Sequence, residues 1–131
     1  MSLYRTILLV DDDVEDQEIF MDAVSEVAPT VHCLCANDGD AALTLLTGNT
    51  LARPDILFID LNMPRMNGKQ VLQELKKRRD INNIPVIMYS TFFGEQDIEE
   101  ITAEGAAHHM IKPTRFADLC SALSYILTTP W

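Results

Sequence analysis

At 131 residues the chain fits one domain with a single substantial core, and 47% hydrophobic with 23% charged residues is an ordinary globular composition. Ten basic against twenty acidic residues give a net charge of −10, which repels phosphate backbones and anionic lipid surfaces, so direct nucleic-acid and membrane binding are not expected. No apolar run is long enough to span a bilayer or to read as a secretory signal, and a cytoplasmic location is the default expectation.

In chain order, short apolar runs alternate with segments of helical period. Ile7-Leu8-Leu9-Val10 reads as the first strand and delivers Asp11, Asp12 and Asp13 at its end. Ile19, Phe20, Ala23, Val24 and Val27 then fall on one helical stripe, with Glu15 and Asp16 near the N-terminus where the helix dipole favours acids, and Pro29 ends the helix. Asp13 is expected to cap it. Val31 to Ala36 reads as a second strand, and Ala42, Leu45 and Leu46 mark a second helix stopped by Gly48. Ile56-Leu57-Phe58-Ile59 is the third strand and ends in Asp60, followed by Leu61-Asn62-Met63-Pro64. Val71, Leu72 and Leu75 stripe a third helix, whose last turn is expected to carry Lys76, Lys77, Arg78 and Arg79.

Pro85 opens the fourth strand, Val86-Ile87-Met88-Tyr89, which ends in Ser90. Ile98 and Ile101 mark a fourth helix, and Gly105 punctuates the turn into a fifth strand at Met110-Ile111, which ends in Lys112-Pro113. The final helix is expected to be capped by Thr114 and striped by Phe116, Leu119, Cys120, Leu123 and Leu127. The sum is an α/β fold of (βα)5 type: a doubly wound, five-stranded parallel sheet in the flavodoxin-like order 2-1-3-4-5, with residues 1–131 forming a single domain. Its ligand crevice lies at the carboxyl ends of strands one and three, the ends that hold Asp11, Asp12 and Asp60.

Cysteines 33, 35 and 120 are too few for a disulfide framework. A zinc reading recruiting His32, Cys33, Cys35, His108 and His109 lacks both CxxC and helical HxxxH spacing. Cys33 and Cys35 share one face of a strand and read as small core residues.

Four strand ends thus offer carboxylates, a hydroxyl and an ammonium. A carboxylate at the end of a fully buried run is costly to leave charged without a partner, and two carboxylates about 4 Å apart repel by roughly 4 kcal/mol at an effective dielectric near 20. The cluster calls for a cation. Hard oxygen donors with room for water suit Mg²⁺, or Mn²⁺, better than zinc.

The set Leu8 to Asp13, Pro54 to Pro64, Asn67-Gly68, Pro85 to Thr91, Gly105-Ala106 and Lys112-Pro113 resembles the response-regulator receiver domain, over nearly the whole chain. The resemblance implies a stand-alone, chemotaxis-receiver-like switch of a two-component system or phosphorelay, with no effector domain. It would accept a phosphoryl group on Asp60 from a histidine kinase, a phosphotransfer protein or a small phosphodonor. It would be a signalling protein with self-phosphorylation and self-dephosphorylation chemistry only, acting on a downstream protein target, with homodimerisation on phosphorylation left open. By the same resemblance Asp12, Asp60 and the backbone carbonyl of Asn62 would ligate Mg²⁺, with Asp11 acting mainly through metal-bound water. Lys112 and Ser90 would meet the phosphoryl oxygens. A partner face is expected around Ser90, Phe92, Phe93 and His109, where His109 stands in place of the family's usual aromatic switch residue. The alternative expectation is that one of the two phenylalanines packs under the fourth helix as ordinary core.

Two other readings stand beside it. Asp11-Asp12-Asp13-Val14 also fits the DxDx[TV] nucleophile motif of haloacid-dehalogenase-type aspartyl-phosphate phosphatases, with Asp11 as nucleophile. A receiver-like binding module that works without phosphate is the third.

Overall fold

The computed structural model describes residues 2–48 and 53–131. Five strands, β1 (Thr6–Val10), β2 (His32–Ala36), β3 (Ile56–Asp60), β4 (Val86–Ser90) and β5 (His108–Ile111), alternate with α1 (Val14–Val27), α2 (Gly39–Thr47), α3 (Gly68–Lys76), α4 (Glu95–Ala103) and α5 (Phe116–Leu127). The strands form one sheet in the order β2-β1-β3-β4-β5, and every pairing is parallel. The expected architecture and strand order are therefore those observed.

The sheet separates two cores. On one face Leu8, Val10, Leu57, Ile59 and Met88 meet Ala42 of α2, Val71, Leu72 and Leu75 of α3 and Ile101 of α4. On the other, Ile7, Leu9, Phe58, Ile87 and Tyr89 meet Phe20, Ala23 and Val24 of α1 and Leu119, Leu123 and Ile126 of α5. Successive residues of a strand point to opposite faces, so strands covered on both sides must be apolar throughout. Every residue of β3 and β4 is buried accordingly, Asp60 and Ser90 included. Phe20 anchors the second core, its ring edge-on to Phe58 at 5.0 Å and to Tyr89 at 5.7 Å.

Local expectations fared unevenly. Asp13 does cap α1, accepting the Asp16 N–H at 3.1 Å. Thr114 does not cap α5: the N-cap position falls on Arg115, whose side chain makes no capping hydrogen bond. α3 ends at Lys76 with Lys77 as its C-cap, which leaves Arg78 and Arg79 outside the helix. Ile19 and Phe116, placed by period on buried stripes, are about half exposed at the rims of α1 and α5. Cys33 and Cys35 are half-buried against the α1–α5 core. Among the described residues no helix is long and apolar enough to cross a membrane.

Candidate functional site

The carboxyl ends of β1, β3, β4 and β5 converge because the strands are parallel and in register. Val10 pairs with Ile59, Asp60 with Tyr89, and Ser90 with Ile111. The residue following each strand, or ending it, therefore opens into one crevice. Asp11, Asp12 and Asp60 are brought together there, each offering an oxygen within 4.8 Å of the others. Asp11 and Asp60 are buried and Asp12 is exposed, so the cluster faces solvent through Asp12.

Neighbouring backbone fixes these carboxylates. One Asp11 oxygen accepts the Asp13 N–H at 2.9 Å, and one Asp60 oxygen accepts the Asn62 N–H at 3.1 Å. The buried Gln17 amide donates to the Asp11 carbonyl at 2.6 Å and to Asn37 at 2.8 Å, tying α1 to the end of β1. Gly68 lets α3 begin against the end of β3, because an added Cβ would stand 2.4 Å from the Asp60 carbonyl oxygen and 2.8 Å from Leu61 Cα. Asn67 caps that helix in a reciprocal box with Gln70. In the connecting loop Arg65 holds a left-handed φ of 67°, a conformation that costs a non-glycine residue about 1 kcal/mol or more.

Lys112 reaches in from the end of β5. Its ammonium lies 3.1 Å from Asp60, 3.0 Å from Asp11 and 2.9 Å from Asp16, and 5.0 Å from the centre of the Tyr89 ring. Burial alone would lower the lysine pKa, but the hydrogen bonds the lysine donates to Asp16 and Asp11 and the charges of Asp60 and Asp11 outweigh it and hold the ammonium above the ordinary lysine value. At Asp60 burial prevails instead. Burial raises its pKa to about 6, further than Lys112 and the Asn62 N–H lower it, with Asp11 adding to the rise. One ammonium shared by three acids leaves the crevice short of positive charge.

Ser90 is wholly buried. Its hydroxyl donates to the Phe92 carbonyl at 3.0 Å and accepts from the Asn62 side-chain amide at 3.2 Å. Of the two phenylalanines, Phe93 joins the α2–α4 core and meets His109 edge-on at 5.1 Å, whereas Phe92 is 71% exposed. Asp16 also enters the crevice, although from sequence it is only an acid favoured by the helix dipole. Its position on the first turn of a helix beginning at the end of β1 was the available signal; its distance from Lys112 was not.

The family model of the response regulator receiver domain matches residues 7–124. The chain belongs to that family. It is similar to the response regulator Rcp1 of Synechocystis, with 30% identity over 98 residues, 72% of this chain and 67% of Rcp1. The crystal structure of the phosphorylated cyanobacterial phytochrome response regulator RcpA superposes with a TM-score of 0.85 at 27% identity, covering 94% of this chain and 91% of that one. The Mn²⁺-bound form of Rcp1 gives 0.83 at 27% identity, covering 93% and 91%. The protein is thus a response-regulator receiver of two-component signalling. Nothing in these likenesses supports the phosphatase reading.

Proposed function

We propose that the protein accepts a phosphoryl group on Asp60 and, once phosphorylated, changes its affinity for a downstream protein. The observation that carries this reading is the state of Asp60: buried at the end of a central strand, its pKa raised to about 6, in a crevice with more carboxylates than one ammonium can balance. In the transfer an Asp60 carboxylate oxygen attacks phosphorus and the P–N bond of the donor's phosphohistidine breaks. The imidazole leaves with the bonding pair and takes up a proton. With a small acyl phosphate the leaving group is the carboxylate.

Asp11, Asp12 and Asp60, with the backbone carbonyl of Asn62, are the residues that would hold Mg²⁺ or Mn²⁺, and their oxygens suit a hard cation. Such an ion, when bound, neutralises the acids and the charge on the transferring group. Lys112 supplies a second positive charge toward the phosphoryl oxygens, and Asp11 orders the end of β1 through Asp13. Phosphoryl transfer asks little covalent work of the protein beyond a placed nucleophile and cations, and the same crevice would carry self-dephosphorylation by water.

The readout runs through Ser90. Its hydroxyl is now committed to the Phe92 carbonyl; turned toward a phosphoryl oxygen on Asp60, it releases that carbonyl and the loop bearing Phe92. Phe93 and His109 are packed together at the start of α4, so movement of the loop reaches the surface made by Phe92, α4 and β5. A downstream protein, or a second copy of the chain, would bind there. Hydrogen exchange with and without beryllofluoride, a phosphoryl mimic, tests this: protection is expected to change from Thr91 to Ala103 and at His109 in the wild type, and not in Ser90→Ala or Lys112→Ala. Changes confined to the Asp60 crevice in the wild type would overturn the coupling.

A further inference from the structure

The Lys112 ammonium has three hydrogens, and each faces a carboxylate: Asp16 at 2.9 Å, Asp11 at 3.0 Å and Asp60 at 3.1 Å. Asp11 and Asp60 also belong to the metal-competent cluster, and Asp16 does not. A divalent cation held by that cluster draws on the same oxygen lone pairs and repels the ammonium. Asp16 is the partner of Lys112 for which such a cation does not compete. Its side chain is not spent on the helix end either: Asp13 caps α1 and receives the Asp16 backbone N–H, while the Asp16 carboxylate turns to Lys112.

We propose that Asp16 is a positioning residue for phosphoryl transfer: it keeps the Lys112 ammonium beside Asp60 when a metal ion and the phosphoryl group occupy the other two carboxylates. The inference rests on the phosphoacceptor reading of Asp60. A lysine on a flexible four-carbon stem does not hold a direction by itself. With the face of Tyr89 on one side and Asp16 across the crevice, the ammonium stays within reach of the incoming oxygens rather than swinging to solvent. Misplacement of a charge that acts in the transition state shows in kcat rather than in KM.

The test is a double-mutant cycle on labelling by acetyl phosphate with Mg²⁺, read as separate kcat and KM values for the wild type, Asp16→Asn, Lys112→Ala and the pair. Asp16→Asn is expected to lower kcat about tenfold without raising KM, and to add nothing in the Lys112→Ala background. Beryllofluoride affinity, which involves no chemical step, is expected to fall in Asp16→Asn, and Asp16→Glu is expected to recover part of both losses. The inference is overturned by an unchanged or faster kcat in Asp16→Asn, or by an equal loss with and without Lys112, which would make Asp16 a general charge or a helix-start acid. A wild type that takes no label at Asp60 would instead overturn the phosphoacceptor reading, and this inference with it.

Discussion

Asp55 and Asp60 flank the same strand, and their surroundings differ in kind. Asp55, exposed just before β3, accepts two backbone N–H groups, from Arg5 at 2.8 Å and Thr6 at 3.0 Å. It stitches the start of β1 to the start of β3. Asp60, buried at the other end, has one backbone N–H and a third share of a lysine, with Asp11 beside it. Both N–H groups bind one Asp55 oxygen and solvent reaches the exposed carboxylate, so the first charge is met by protein and water; the second, out of water among acids, is left wanting a cation. A receiver needs that asymmetry, because a carboxylate fully satisfied at rest would have little to gain from a metal ion and a phosphoryl group.

Three substitutions sharpen the contrast. The largest effect is expected from Gly68→Ala, since the new methyl would collide with backbone at the end of β3; a loss of about 3 kcal/mol is expected in urea unfolding, with weaker Mg²⁺ binding as Asp60 is displaced. Next is Asp60→Asn. A folded-state pKa of about 6 against an ordinary 3.8 means the folded protein holds the proton more tightly than the unfolded chain, so the carboxylate costs stability as pH rises from about 4 to 6. Asp60→Asn should therefore stabilise the metal-free protein by at most about 3 kcal/mol at pH 7, and the gain should vanish below pH about 4. No gain at neutral pH would mean that Asp60 is already compensated. The smallest is Asp55→Ala, expected to lose about 1 kcal/mol at neutral pH with no effect on labelling, because water can replace part of what two exposed N–H groups lose. Lost labelling in Asp55→Ala would break the comparison.

Much of this was legible in the sequence because a strand covered on both faces must be apolar, so β1, β3 and β4 announce themselves and their first polar residue marks the crevice. The strand order followed from the few topologies that right-handed crossovers allow. The cap by Asp13 was readable because capping is local. Thr114 failed because Pro113 and Thr114 stay outside the helix and α5 starts only at Phe116. Ile19 and Phe116 failed because helical period finds a stripe but not its edge, and both sit at the rim near Lys112. The role of Asp16 was hidden for a different reason: its partner lies 96 residues further along the chain, and no local pattern encodes that contact.

The central claim is that phosphate lands on Asp60. After incubation with acetyl phosphate and Mg²⁺, borohydride reduces an aspartyl phosphate to homoserine, which peptide mass spectrometry locates. The expected result is homoserine at position 60 alone, absent when EDTA is present during labelling; homoserine at position 11, or none in the wild type, would contradict it.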